Sequence, residues 1–173
     1  AIVSSEDWRF YKHRGVDIKG VARAFVANQQ AGGVSQGGST LTMQYVRMAL
    51  RDSARTPAEV RDATEQTTLR KVREMKLALQ LEKQLSKPEI LERYLNAAYF
   101  GHRAYGIFAA AQVFFSKAPS QLTLPEAALL AGLVKAPTEY DPASQDRRPA
   151  TERRNYVIDR MVQLGFVSAP VGE

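Results

Sequence analysis

Apolar positions along the chain recur with the spacing of amphipathic helices, and runs of alternating residues that predict strands are rare. At three places a hydroxyl residue is followed three positions later by Glu, with Pro early in the first turn, which is the spacing of a capping box at a helix start. These places are Thr56-Pro57-Ala58-Glu59, Ser86-Lys87-Pro88-Glu89 and Thr123-Leu124-Pro125-Glu126. The pattern therefore predicts an all-helical domain.

The predicted helices cover most of the chain. We expect them near residues 17–30, 40–51, 57–85, 87–97, 105–115, 124–134 and 150–164. The Gly-rich segment Gln30–Ser39 predicts a mobile loop, and Tyr140–Gln145 predicts a turn-rich connection. The last helix has apolar residues at core-like spacing from Tyr156 to Leu164, with charged residues such as Arg153 beside them, so we interpret it as packed and solvated.

Length and composition indicate one ordinary globular domain over residues 1–173, with 45% hydrophobic and 24% charged residues. The net charge of +6 favours an anionic partner, which leaves nucleic acid, a membrane surface and a phosphorylated ligand open. With no Cys and only two His, a disulfide framework and Cys- or His-rich metal sites are excluded. No apolar stretch approaches the roughly 20 residues that span a bilayer, and no signal peptide opens the chain.

The first stretch with candidate chemistry places Glu6 and Asp7 before an aromatic cluster that includes Trp8 and Phe10. Apolar packing around one carboxylate raises its proton affinity, as a general base requires. The alternative is a pair of helix-terminal acids near solvent.

The second stretch runs from a glycine pair that ends at Gly38 into Ser39 and Thr40. Backbone N–H groups exposed at such a helix start can bind phosphate oxygens. Thr40, Gln44 and Arg47 then fall on one helix face, where a hydroxyl, an amide and a guanidinium can converge. The alternative is a common loop that leads into a helix cap.

The third stretch contains Arg70, Lys71 and Glu74, followed by apolar residues from Leu77 to Leu85 at helical spacing. This spacing predicts that Glu74 faces the interior, where cations three and four residues before it favour its ionised form. The alternative is a local ion pair.

A fourth stretch, residues 90–101, predicts helix, loop and then helix, with Glu92 and Asn96 as candidates that support a site. Its core-like spacing and Gly-punctuated turn are mainly structural signals.

In this order, the four stretches resemble the motifs of glycosyltransferase family 51, the glycosyltransferase domain of class A penicillin-binding proteins and of monofunctional cell-wall polymerases. The resemblance runs from Ser4 to about Leu164 and includes a later signature at Lys135-Ala136-Pro137. Met43, Arg47 and Met48 depart from the usual residues of the second motif, which weakens the assignment of Arg47 because Arg keeps the charge of Lys but not its geometry. The segment 52–68 is longer than typical and receives no function.

The resemblance implies a lysozyme-like fold in which a head lobe and a smaller membrane-facing lobe enclose a cleft. It implies a bacterial enzyme at the extracytoplasmic face of the plasma membrane, with a membrane-anchoring helix upstream of Ala1. A penicillin-binding transpeptidase domain follows in many members of that family, but the residues after Gly165 give no sign of one. The implied substrates are lipid II and the growing lipid-linked glycan strand, with no nucleic acid.

The resemblance also implies roles for individual residues. Glu6 is the general base, and Glu74 orients cations or helps to hold a divalent ion, Mg²⁺ or Mn²⁺. The diphosphate of the lipid carrier requires positive charge, for which the candidates are Arg47, Arg70, Lys71 and Lys135. The remaining candidates for substrate binding are Asp7, Gly38, Ser39, Thr40, Gln44 and Asn96.

Two other classes of protein stay open. A lysozyme-like hydrolase or lytic transglycosylase shares a helical cleft and a catalytic Glu, but it does not need a cradle and cation cluster for a diphosphate. A basic nucleic-acid-binding domain agrees with the net charge, but its cations line one exposed helix face, whereas those of this chain flank acids and glycines.

Overall fold

The computed structural model describes residues 1–30 and 37–168, and in these ranges all regular secondary structure is helical apart from one isolated bridge between Tyr99 and Tyr105. The predicted all-helical fold is confirmed. The α-helices are α1 (Ile2–Glu6), α2 (Ile18–Gln30), α3 (Leu41–Ser53), α4 (Pro57–Thr64), α5 (Thr68–Leu81), α6 (Lys87–Ala97), α7 (Ile107–Phe115), α8 (Leu124–Leu133) and α9 (Arg148–Gln163). Short 3-10 turns lie at Phe10–Lys12 and Pro119–Gln121. Across the two described ranges, no helix has both the length and the apolar character to cross a bilayer.

Six of the seven predicted helices are confirmed with ends within two residues of those expected, but the single helix predicted over 57–85 is wrong. Glu65 leaves the helical conformation at φ −60° and ψ 137°, and Thr67 then caps α5 by accepting a hydrogen bond from the Arg70 amide at 3.1 Å. Helix α1 was not predicted. Turns over 140–145 are confirmed, whereas residues 31–36 of the predicted loop Gln30–Ser39 lie outside the described residues.

All three predicted capping-box glutamates accept a hydrogen bond from the backbone N–H of the hydroxyl residue that precedes the helix. The N···O distances are 3.1 Å for Thr56–Glu59, 2.8 Å for Ser86–Glu89 and 2.8 Å for Thr123–Glu126. These local bonds explain why the starts of α4, α6 and α8 were readable from the sequence.

The cap of α8 is expected to weaken in acid. A hydrogen bond from the Lys117 side chain, followed by one from the Thr123 backbone, lowers the pKa of Glu126 below its ordinary value of 4.5. The hydrogen bonds that lower this pKa stabilise the folded chain fully at pH values above the unfolded-state pKa. This stabilisation is lost as the pH falls through the folded-state pKa. The melting-temperature advantage of the parent over Glu126→Gln should therefore shrink between about pH 6 and pH 3.

Glu152→Gln, an exposed change in α9, is the control for this measurement. Its difference from the parent should not show the same loss in acid. If the advantage over Glu126→Gln is as large at low pH as at neutral pH, this account of the cap is wrong.

The chain forms two compact units, and each is described by itself. The terminal unit comprises Ala1–Trp8 and Leu95–Glu173, and the central unit comprises Arg9–Tyr94. Their number equals the number of lobes that the family resemblance implies. The cleft that the resemblance also implies stays a prediction.

In the terminal unit, α8 packs against α9 and α1 packs against both. Leu130, Leu133 and Val157 are almost completely buried in this core. Small residues on α8 permit the close approach of α9, because a Cβ atom added at Gly132 would lie 2.9 Å from Cγ of Arg153.

In the central unit, α3 packs against α5 through a core of Met43, Val46 and Ala78. Gly15 lies beside Ala78 of this core and has a φ of +89°, a conformation that favours glycine. A Cβ atom at this position would lie 2.7 Å from the backbone carbon and oxygen of Ala78. The segment before α2 can therefore approach α5 only with glycine at residue 15.

Gly15→Ala is expected to destabilise the chain by about 2 kcal/mol, because it adds left-handed strain and a backbone clash. Chemical denaturation of the parent and the variant measures this difference. Gly165→Ala is the matched control, since Gly165 also has a positive φ of +72° but its added Cβ meets nothing within 4 Å. Equal losses for the two variants contradict the importance of the Ala78 contact.

Candidate active site

Glu74 is fully buried in the middle of α5, which is rare for a carboxylate. Its Oε1 accepts hydrogen bonds from Arg47 Nε at 2.7 Å and from Arg70 Nη1, and its Oε2 accepts one from Arg47 Nη2 at 3.0 Å. Two guanidinium groups thus surround one carboxylate, and the cluster keeps a net positive charge. The prediction that Glu74 faces the interior is confirmed.

The packing of two helices brings this cluster together. Arg70 and Glu74 are one turn apart on α5, so their contact is local, whereas Arg47 comes from α3 across the Met43–Ala78 core. Arg47 donates through two nitrogen atoms to both carboxylate oxygens, a geometry that Lys cannot reproduce. Its side chain is 35% exposed, so part of it is open to solvent.

Three arginine donors already occupy the Glu74 carboxylate, two on Oε1 and one on Oε2, and the role of Glu74 as a metal ligand stays a prediction. No group of three or more His, Cys, Asp or Glu suitable for a metal ion is found in residues 1–30 and 37–168. Of the two roles predicted for Glu74, the geometry favours the orientation of cations.

Each side chain of the predicted Thr40–Gln44–Arg47 face has a separate protein partner. The Thr40 hydroxyl is buried, accepts the Met43 amide at 3.2 Å and donates to the Gly15 carbonyl at 2.6 Å. Gln44 Oε1 accepts a hydrogen bond from the Tyr94 hydroxyl at 3.0 Å. Thr40 and Gln44 therefore have structural contacts, and their predicted roles in substrate binding stay predictions.

A second charged cluster of the central unit, which contains Lys87, was not predicted from the sequence. Glu82 Oε1 accepts hydrogen bonds from Thr42 Oγ1 at 2.6 Å and from Lys87 Nζ at 2.7 Å. Lys87 Nζ also lies 4.4 Å from the centre of the Phe10 ring and 3.5 Å from His13 Nδ1. The sequence pattern identifies Lys87 only as part of a helix start, yet this cluster joins residues from three of the predicted motif stretches.

Glu6 ends α1 in the terminal unit, and its side chain is only 13% exposed. Its Oε1 accepts a hydrogen bond from Arg153 Nη2 at 2.9 Å, and the Arg153 side chain is 9% exposed. The prediction that the charged residues of α9 are solvated is therefore wrong for Arg153. A signal was available, because Arg153 lies four and eight residues before the buried Val157 and Met161, on the same stripe of α9.

The other predicted site residues are distributed over both units. Gly38, Ser39 and Lys71 are partly buried in the central unit. In the terminal unit, Asp7 is buried, whereas Asn96 at the end of α6 and Lys135 after α8 are exposed. Glu6 and Glu74 belong to different units, so their convergence, like that of Lys135 with the arginines, stays a prediction.

The carboxylates of Glu6 and Glu74 are each paired with guanidinium groups. This arrangement suits an enzyme that transfers a group beside an anionic substrate. Residues 1–162 match the family model described as Transglycosylase, and the chain belongs to this family. The match confirms the resemblance and the enzyme class, and it favours neither alternative class.

The chain is similar to the penicillin-binding proteins 1A of Pseudomonas aeruginosa, at 44% identity over 96% of this chain and 19% of that protein, and of Escherichia coli, at 45% identity over 97% and 18%. It thus spans about a fifth of the length of these curated relatives. The crystal structure of penicillin-binding protein 1A from Haemophilus influenzae is 31% identical and covers 75% of this chain and 15% of that chain, with a TM-score of 0.47.

Proposed function

We propose that the chain polymerises lipid II into β-1,4-linked glycan strands by inverting glycosyl transfer, with release of a polyprenyl diphosphate. The observation that carries this proposal is the joining of Arg47 and Arg70 by the buried carboxylate of Glu74. A diphosphate leaving group gains negative charge as the glycosidic bond breaks, and preorganised guanidinium groups stabilise that charge. Glu74 fixes their orientation before the substrate arrives.

Glu6 is proposed as the general base that removes the proton from the acceptor 4-hydroxyl group. The oxygen then attacks the anomeric carbon of the donor while the bond to the diphosphate breaks, which inverts that centre. A diphosphate is already stable as an anion, so a strong general acid is not needed, in contrast to a glycosidase. Lys71 and Lys135 are proposed to add positive charge around the phosphates.

The proposed location is the extracytoplasmic face of the bacterial plasma membrane, where the lipid carrier is held. Exposed apolar side chains of the central unit support this location. Ile18 is 78% exposed, Leu69 is 80% exposed and Val72 is 55% exposed. Apolar side chains of this kind, with a net charge of +6, suit contact with an anionic lipid surface.

The test is incubation of the chain with lipid-linked disaccharide-peptide in detergent and separation of the products by length. Glycan polymer is the expected product, and its absence from the parent chain contradicts the proposal. Parallel incubation with finished cell wall tests the hydrolase or lytic alternative, since fragments released without polymer growth support that class. Salt-sensitive DNA binding by a chain that makes no polymer supports the nucleic-acid alternative.

A divalent cation, Mg²⁺ or Mn²⁺, is the one cofactor proposed, and no step above depends on it. The same incubation with a chelator, and with each ion restored, determines whether polymerisation needs the metal. A requirement met by either ion points to a site completed by substrate phosphates, because Glu74 is occupied by arginines.

A further inference from the structure

We propose that Arg153 is a positioning residue for Glu6, which fixes the carboxylate of the general base and keeps it ionised. The inference rests on the proposed function, since it assigns Arg153 a part in the same reaction. No motif stretch of the sequence analysis included Arg153.

Arg153 reaches Glu6 from the opposite end of the chain. Arg153 Nη2 donates to Glu6 Oε1 at 2.9 Å, and both side chains are largely buried in the terminal unit. A hydrogen bond between two ionised groups at this depth is less screened by solvent than a surface ion pair. It therefore restricts the rotation of the Glu6 carboxylate and favours its unprotonated form.

Two aromatic rings hold the guanidinium group of Arg153 in place. Its Cζ atom lies 4.9 Å from the ring centre of Tyr156, one turn further along α9, and 5.7 Å from that of Tyr140. Both distances are within the range of a cation–π interaction. The rings limit the rotamers of Arg153, so the position of Glu6 is determined by a rigid partner.

Gly132 on α8 provides the space for the stem of Arg153. A Cβ atom added at residue 132 would lie 2.9 Å from Arg153 Cγ, which is closer than real Cβ contacts. The guanidinium group can thus reach Glu6 only because α8 has no side chain at this point.

The same charged groups affect the pKa of Tyr140. Burial, the largest cause, raises the pKa of the Tyr140 hydroxyl, the charges of Glu139 and Glu6 raise it further, and the charge of Arg153 lowers it. The titratable and charged groups in these contacts, besides Glu6 itself, are Arg153 and Tyr156 from α9 and Glu139 and Tyr140 from the segment after α8.

The test compares the polymerisation kinetics of the parent, Arg153→Gln, Arg153→Lys and Gly132→Ala. Arg153→Gln is expected to lower kcat by about tenfold or more and to change KM by less than about twofold. The acid limb of its pH–rate profile should move toward higher pH, since the cation that favours ionised Glu6 is lost. Arg153→Lys should restore part of the pH profile, and Gly132→Ala should lower kcat with all charges retained.

The matched control is Arg154→Gln, which removes the next arginine of α9, whose Nε and Nη2 donate to Oδ1 of the exposed Asn155. It should match the parent in rate and pH profile. Circular dichroism identifies any variant that fails to fold, and the pH limb is measured on folded protein because its position does not depend on the active fraction.

The outcomes separate the two proposals. No polymer from the parent overturns the proposed function. A parent that makes polymer, together with an Arg153→Gln variant that has the parental kcat and pH profile, overturns only the role of Arg153. A lower kcat with an unmoved acid limb shows a merely structural role and also overturns the inference.

Discussion

Glu6→Gln is expected to lower the kcat of glycan polymerisation by about a thousandfold while the fold stays intact. Gln cannot remove a proton from the acceptor hydroxyl, but its amide oxygen can still accept the hydrogen bond from Arg153 Nη2. The substitution therefore removes the base without leaving the buried guanidinium group unpaired. Initial rates with lipid-linked disaccharide-peptide and melting curves measure the two effects separately.

The control is Asp159→Asn, which removes an exposed acid from α9 of the same unit and should leave the rate unchanged. Parental polymerisation by Glu6→Gln shows that another group is the base. Arg153 then has no general base to position, so its proposed role is contradicted as well.

Glu74→Gln is expected to lower the free energy of unfolding by about 3 kcal/mol and to reduce polymerisation substantially. The buried carboxylate compensates Arg70, which is 10% exposed, and Arg47, which is 35% exposed. A neutral amide leaves two guanidinium groups facing each other without a counterion, so they repel and change position. Both the helix packing and the proposed diphosphate site are affected.

Denaturation and kinetics of Glu74→Gln and Glu74→Asp test this expectation. Asp keeps the charge at a shorter reach, so it should recover part of the stability but less of the rate. The control is Asp52→Asn, because the Arg51–Asp52 pair is exposed and should contribute less than about 1 kcal/mol. A Glu74→Gln variant as stable and as active as the parent would falsify the proposed function of the cluster.

The parts of the fold that the sequence predicted depend on neighbours in the chain. The starts of α4, α6 and α8 were found because each Glu bonds to a backbone amide three residues before it. The break between α4 and α5 was missed because Thr67 has Arg70, not Glu, at the third helical position. Without the reciprocal bond, the apolar pattern on both sides suggested one continuous helix.

In the candidate site, too, the sequence predicted only the contacts between residues that are close along the chain. The contact between Arg70 and Glu74 follows from helical spacing, and the inward direction of Glu74 follows from the apolar stripe of α5. The pairs Arg47–Glu74 and Glu6–Arg153 depend on how helices pack, and the second joins residues at opposite ends of the chain. No local pattern specifies such distant partners, although Arg153 shares the stripe of α9 that contains the buried Val157 and Met161.

The absent side chain at Gly132 couples two distant positions of the chain. A larger residue at position 132 collides with the stem of Arg153, so its cost in stability should be smaller in a chain whose residue 153 is also shortened. Such a double variant lacks the counterion of Glu6. The size of residue 132 is therefore limited by a contact that neither position reveals alone.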